Sequence, residues 1–273
     1  MTQSLREIRS FRVRVSTFYK KNRRVFPWRT TRNAYKIFIS EVMLQQTHVD
    51  RVRKKYPQFL KEFPSFFSIA SASPRHVLAS WNGLGYNRRA LNLKAASEMI
   101  VNEYGGHLPR DRGALEALPG VGVGTSGSLM AFVYNEPVVF IETNIRRVFL
   151  YHFFRDADRA IADREIMPLV EKTLDIDNPR EWYYALMDYG SWLGKTIVEN
   201  PNKKSAVYRK QGAFHGSRRE LRGRILKYAL SHGGYIRDIR AFSRAIKLPE
   251  EKIREVYAIM AKEGFFPRSK KRR

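Results

Sequence analysis

The chain has no cysteine among its 273 residues. That excludes a disulfide, a zinc–thiolate site and an iron–sulfur cluster held by cysteine. No apolar run is long enough to span a bilayer. Acidic residues are scarce: 26 Asp and Glu stand against 51 Lys and Arg, a formal net charge of +25. Such an excess favours a polyanionic partner, nucleic acid or an anionic surface. It also serves solubility alone, and composition does not choose between the two. The first 21 residues are too charged for a signal peptide. The expected location is therefore the cytoplasm, in association with the nucleoid, with no membrane partner. Strand patterning is nearly missing as well. Val138 to Ile141 has a strand-like composition but no second run to pair with.

What is present is helical periodicity, and the fold class it gives is all-α. Leu5 to Lys21 spaces Ile8, Phe11, Val15 and Phe18 on one face. Pro27-Trp28-Arg29 breaks that helix, and Ala34 to about Arg53 reads as the next. Pro57, Pro64 and Pro74 separate short helices. Arg88 to Tyr104 follows, stopped by Gly105-Gly106. Asp111 to Leu118 runs into a glycine turn, and helices begin again near Asn144, Asp163 and Pro179. Lys195 to Gly216 is polar, basic and turn-rich. Beyond it, three short helices between 217 and 267 read either as a winged-helix-like unit or as a helical cap on the core. The tail Arg268 to Arg273 is almost wholly basic and adds phosphate contacts.

Two places carry chemistry. Leu118-Pro119-Gly120-Val121-Gly122 reads as a tight turn between helices, leaving backbone N–H groups at the start of a new helix. Such a start cradles a phosphate, though glycine also punctuates turns of no function. Past the following helix comes a lone carboxylate, Glu142, ahead of Arg146 and Arg147. The second place is Glu41. Its helical neighbours are Ile37, Phe38, Leu44 and Gln45, three of them apolar. A carboxyl held there loses hydration, its pKa rises, and it becomes suited to general-acid work. A solvated Glu at the helix rim is the alternative.

Pro27-Trp28-Arg29, then Ser40 to Thr47 (SEVMLQQT), Trp81 to Tyr86 (WNGLGY), Leu118 to Gly122 (LPGVG) and Thr143 to Val148 (TNIRRV) follow one another in that order. Together they resemble the helix-hairpin-helix DNA glycosylase superfamily. SEVMLQQT and WNGLGY are closer to its MutY-type, A/G-specific adenine glycosylase branch than to endonuclease III. The resemblance covers about residues 20 to 215. It implies a two-domain fold: a helical bundle over 27–137, and a second domain over 138–215 joined by the N-terminal helix of 1–26. The small unit at 216–267 and the tail at 268–273 complete the chain. It implies a base flipped between the two domains of a double-stranded DNA carrying a mismatch or an oxidised base, and a monomeric enzyme. Glu41 matches the acid that protonates adenine, Glu142 the place of the catalytic aspartate, and Asn144 a polar residue near the sugar. Tyr86 matches a wedge into the base stack and Gln46 a residue reaching into the opened helix. Trp28, Arg29, Leu44, Thr47, Arg88, Gly120, Val121, Gly122, Gly124 and Thr125 complete the expected DNA-contacting set. The hairpin Gly120 to Gly122 would hold a phosphate, with a monovalent cation in some relatives; no other metal is expected.

The chemistry fits those residue types. Breaking an N-glycosidic bond makes an oxocarbenium-like sugar and a poor leaving group. One acid protonates the base, and one carboxylate stabilises the cation or guides water. Four departures qualify the resemblance. Glu142 stands where an aspartate is expected. The family's cluster cysteines fall on Gly194, Pro201, Lys204 and Lys210, so no iron–sulfur cluster and no other cofactor is expected. Gly124 stands where lyase members carry a lysine, which points to base release without strand scission. The chain ends before the domain that reads 8-oxoguanine would be complete. The expected activity is removal of adenine opposite 8-oxoguanine or guanine. The alternatives are a thymine or uracil mismatch glycosylase, or a non-catalytic DNA-damage-binding protein.

Overall fold

A computed structural model describes residues 4–266. Every regular element among them is helical, and the one extended pairing is an isolated bridge between Ile161 and Ser205. Val138 to Ile141 forms no strand. The tail Arg268 to Arg273 lies outside the described residues.

The chain divides into two compact units. The first comprises residues 1–41, 109–117 and 121–210. It holds α1 (Leu5–Asn22), most of α2 (Ala34–Leu44), α7 (Arg112–Ala117), α8 (Val123–Tyr134), α9 (Thr143–Phe153), α10 (Asp163–Thr173) and α11 (Pro179–Thr196). A capping box opens α1: Ser4 Oγ accepts from the Glu7 N–H at 3.2 Å, and the Glu7 carboxylate accepts from the Ser4 N–H at 2.8 Å. Its Phe11 and Val15, four apart, are buried. Phe11 meets Phe149 of α9 and Trp182 of α11 with ring centroids 5.3 and 6.2 Å apart. Buried Arg180 donates to the carbonyls of Phe132 and Val133, closing the end of α8.

Among the described residues the second unit comprises 42–108, 118–120 and 211–266. It holds α3 (Val49–Glu62), α4 (Phe66–Ser71), α5 (Pro74–Trp81), α6 (Arg88–Tyr104), α12 (Arg218–Ser231), α13 (Ile239–Ile246) and α14 (Glu250–Lys262). Its core includes Phe59, Phe63 and Trp81, all at most 2% exposed. The contacts group the three C-terminal helices with α3 to α6.

Two local expectations fail. The helix expected over 34–53 stops at Leu44 and restarts at Val49. Gln46 takes φ 52°, the left-handed region, which ends an α-helix. Pro57 does not divide helices but sits inside α3. An interior proline costs a helix about 3 kcal/mol. Here its neighbours Val52, Tyr56 and Phe59 are buried, and their packing offsets it.

Candidate active site and DNA-contacting turns

Glu41, Ser128, Glu142, Asn144 and Arg147 all belong to the first unit. Glu41 lies on α2, where Ile37 and Phe38 are at most 1% exposed. Burial pushes its carboxyl up to about 7, the Ser128 hydroxyl and the nearby Arg29 pull it down, and the negative charge of Glu142 pushes it further up. Ser128 has one hydrogen to give, and its Oγ is 2.9 Å from the Thr125 carbonyl.

Glu142 is the N-cap of α9. One carboxylate oxygen accepts the N–H groups of Asn144 at 2.8 Å and Ile145 at 3.0 Å. The other accepts from the Asn144 amide at 3.4 Å. Burial raises its pKa, while those three donors and Arg147 hold it down. A helix N-terminus also favours negative charge. Glu41 has one hydroxyl partner and Glu142 has three donors. Those donors favour the charged form of Glu142 more than a single hydroxyl favours that of Glu41, so Glu41 is the more readily protonated of the two. Arg147 supports this arrangement: its guanidinium donates to Asn144 Oδ1 at 2.9 Å and to the Gly190 carbonyl at 2.8 Å. Neither Ser128 nor Arg147 was singled out as a site residue from sequence. Arg147 stands in the TNIRRV motif; for Ser128 there is no local signal beyond one polar residue on an apolar helix.

Gly124 lies near the Ile141 carbonyl, which a Cβ there would meet at an ordinary 3.7 Å. The position is open, and it is close in sequence contact to the backbone that leads into Glu142. Two residues expected to touch DNA are instead inside the unit. Trp28 is 3% exposed and stacks on Phe26 with centroids 5.0 Å apart. Arg29 is bound to buried Asp188 at 2.9 Å and lies over the Tyr184 ring. Asp188 also takes Arg24, so both cations serve to compensate a carboxylate that is almost wholly buried. Val121 is 5% exposed, so any contact it makes with DNA is through its backbone. Gly122 is the N-cap of α8, with no side chain capping the first N–H groups. That end of α8, with Gly124 exposed and Thr125 half-buried, keeps the character of an anion-binding helix start.

The second unit gathers the remaining turns. Gly120 has φ 82°, and a Cβ there would meet the Asn92 side chain at 2.9 Å. Both its dihedral and its surroundings thus require glycine. The Gly120 carbonyl accepts from Gln45 at 3.1 Å. Arg89, buried on α6, then ties two turns together. It donates to the carbonyls of Val42, Met43 and Gln45 and to Thr47 Oγ1 on one side. On the other it donates to Leu84, Gly85 and Tyr86. Those carbonyls include the unpaired end of α2, which explains why that helix can stop inside the protein. Gln46 and Tyr86, each at positive φ, project from the turns so held. Gln46 is exposed, Leu44 and Thr47 are half-buried, and Tyr86 is 37% exposed. Arg88 faces outward with an ion pair to Glu263 at 3.6 Å.

The positions that the resemblance gives to cluster cysteines are occupied by residues with protein contacts of their own. A Cβ on Gly194 would meet the Arg147 guanidinium at 2.7 Å. Pro201 and Lys204 lie in a 3-10 turn, and Lys204 Nζ donates to the Ala157 carbonyl. Protein contacts hold this loop: Asn202 donates to the Thr143 carbonyl at 3.2 Å, and Ile161 exchanges backbone hydrogen bonds with Lys204 and Ala206 at 2.7 and 2.9 Å. No cluster of His, Asp or Glu among the described residues could hold a metal ion.

Residues 39–173 match the HhH-GPD superfamily base excision DNA repair protein family. The chain is 32% identical over 230 residues to the adenine DNA glycosylase of Mycolicibacterium smegmatis, covering 78% of each. It is 28% identical over 184 residues to the adenine DNA glycosylase of Buchnera aphidicola, covering 67% of this chain and about half, 52%, of that one. Among solved structures, a thermostable thymine-DNA glycosylase superposes with a TM-score of 0.64 at 26% identity, over 74% of this chain and 93% of that one.

Proposed function

The chain belongs to the HhH-GPD superfamily of base excision DNA repair proteins, and we propose that it is a monofunctional DNA N-glycosylase releasing adenine opposite 8-oxoguanine or guanine. The observation that carries the reading is the carboxyl pair: Glu41 raised to about 7 beside a Glu142 stabilised by a helix N-terminus. A protonated Glu41 gives its proton to a ring nitrogen of the flipped adenine. The C–N bond then breaks with the electron pair leaving on a neutral base. The ionised Glu142 faces the oxocarbenium character left on the sugar, and water completes the hydrolysis. Asn144 and Arg147 position Glu142. Opening the duplex costs a few kcal/mol, offset by phosphate contacts at the α8 N-terminus and by stacking on Tyr86. With Gly124 in place of an amine, no Schiff base forms and the strand stays intact. The enzyme acts as a monomer near the nucleoid and needs no cluster. The test is base release on duplexes with A:8-oxoguanine, A:G, T:G and U:G, with alkali to reveal abasic sites and borohydride to trap any covalent adduct. Release from T:G or U:G alone would favour the second reading, a thymine or uracil glycosylase, which the thymine-DNA glycosylase superposition supports. An efficient borohydride adduct would overturn the monofunctional assignment.

A further inference from the structure

Tyr86 is held at both ends within the second unit. Below it, Arg89 takes the carbonyls of Leu84, Gly85 and Tyr86. At its tip, the hydroxyl accepts from Arg219 Nη1 at 3.2 Å and from Gln211 Nε2. Both donors come from the C-terminal segment, beyond residue 173 where the family match ends. They do not cover the ring, which stays 37% exposed.

Charge distinguishes Arg219 from its neighbours. On α12, Arg218, Arg222 and Arg224 each meet a carboxylate, from Glu255, Glu263 and Glu220. Arg219 makes no ion pair among the described residues. Its hydrogen bonds go to the Tyr86 hydroxyl and to the Gly212 carbonyl at 2.7 Å. A guanidinium carries five N–H donors, so donors remain over. Gln211 is exposed and can both donate and accept. An uncompensated cation with spare donors beside an open aromatic face suits a nucleotide, with the ring for the base and the donors for its acceptors.

We propose that Arg219 and Gln211 are specificity-determining residues that read the O6 edge of a purine stacked on Tyr86, in the strand opposite the excised base. The proposal rests on the glycosylase reading above. Arginine pairs with O6 and N7 of guanine as two adjacent acceptors, whereas adenine and cytosine present an amino donor at the equivalent place, which repels it. 8-Oxoguanine keeps O6 and replaces the N7 acceptor with an N–H, which the Gln211 carbonyl can accept. The shared chemistry is the O6 carbonyl, and guanine and its 8-oxo form are its two sources.

The experiment measures binding of the full chain to duplexes in which a non-hydrolysable adenosine analogue faces guanine, 8-oxoguanine or 2-aminopurine, which lacks O6. Arg219→Ala is expected to lose roughly 10-fold or more in affinity for the first two and clearly less on 2-aminopurine, which keeps only N7. Arg219→Lys, lacking the fork, should recover only part of the loss. A Gln211→Ala loss confined to 8-oxoguanine would identify that base as the source, and an equal loss with guanine would identify the common edge. An equal Arg219→Ala loss on all three duplexes, with the salt slope reduced by about 1, would overturn the proposal in favour of a phosphate contact. No loss on any duplex would reduce Arg219 to a tether. Circular dichroism melts verify that each variant is folded. Binding to an uncleavable duplex does not depend on turnover, so failure of wild-type base release on cleavable duplexes would sink the glycosylase reading separately.

Discussion

Glu142 combines two tasks in one side chain, capping α9 and presenting a charge. One of its carboxylate oxygens accepts two backbone N–H groups at 2.8 and 3.0 Å. Glu142→Gln keeps the shape and an acceptor oxygen but removes the charge. Single-turnover base release should fall by about 100-fold or more, with duplex affinity preserved in a gel-shift titration. Glu142→Asp retains a good N-cap but retracts the carboxylate by about 1 Å, a displacement that can cost on the order of 100-fold in rate. It should therefore not raise activity; a large gain would mean that the longer side chain cripples the site. On the proposed mechanism the pH dependence belongs to Glu41. As a general acid raised to about 7, it is competent below that pH. Base release should be level towards the acid side until Glu142 takes a proton, and fall about tenfold per unit above 7. Stability follows the same sign. A carboxyl raised on folding contributes stability that is complete below its unfolded value of 4.5 and is lost as pH rises through about 7. Glu41→Gln should thus melt higher than wild type at pH 8, by on the order of 1–3 kcal/mol, and the difference should vanish near pH 4. A Glu41→Gln melt no higher at pH 8 would show that the carboxyl is not strained by burial.

The site is set by how closely α9 and α11 approach. A Cβ on Gly190 would lie 2.2 Å from the Asn144 carbonyl oxygen, a backbone atom that cannot step aside. Gly190→Ala should separate the two helices, moving Asn144 and with it the cap on Glu142. Overpacking of this kind costs typically 1–3 kcal/mol, read as a lowered melting temperature. Base release should fall by more than the fraction unfolded explains, because the displacement is at the carboxylate proposed to face the sugar; a loss of stability with undiminished turnover per folded molecule would detach the helix packing from the chemistry. The end of α2 obeys a similar logic. Its carbonyls at Val42 and Met43 are satisfied by Arg89 rather than by another helical turn, which frees the chain at Gln46 to turn outward.

For the molecule as a whole, a net charge of +25 sets the form of DNA binding. The logarithm of affinity should fall linearly with the logarithm of salt, with a slope of about −0.9 per phosphate contact. Deleting Arg268 to Arg273 should weaken matched and mismatched duplexes alike and flatten that slope, because phosphate contacts carry no sequence information. A salt-independent affinity measured by fluorescence anisotropy would remove the electrostatic basis of the reading. On the proposed reading the specific and non-specific parts are separable in this way: charge is expected to govern the slope, and the turns at Gln46, Tyr86 and Gly120 the difference between damaged and undamaged DNA.

The sequence alone determined the helical class and the order of the motifs, because each rests on residues within a few positions of one another. Apolar spacing around Ile37 and Phe38 left Glu41 either desolvated or at the helix rim, and the fold desolvates it. Glycine at 120 is legible because only glycine takes its turn freely. Tertiary structure decided what depends on partners far along the chain. The break after Leu44 is fixed by Arg89, more than 40 residues on. Pro57 stays inside a helix because packing outweighs its local penalty. Trp28 and Arg29, grouped with the DNA contacts by their motif, turn inward to Phe26 and to Asp188, 159 residues beyond Arg29. The Tyr86 hydroxyl finds its donors 125 and 133 residues away. Local pattern fixes dihedrals and burial, but a buried charge or an open carbonyl takes whichever partner the fold brings to it, and sequence spacing carries no record of that choice.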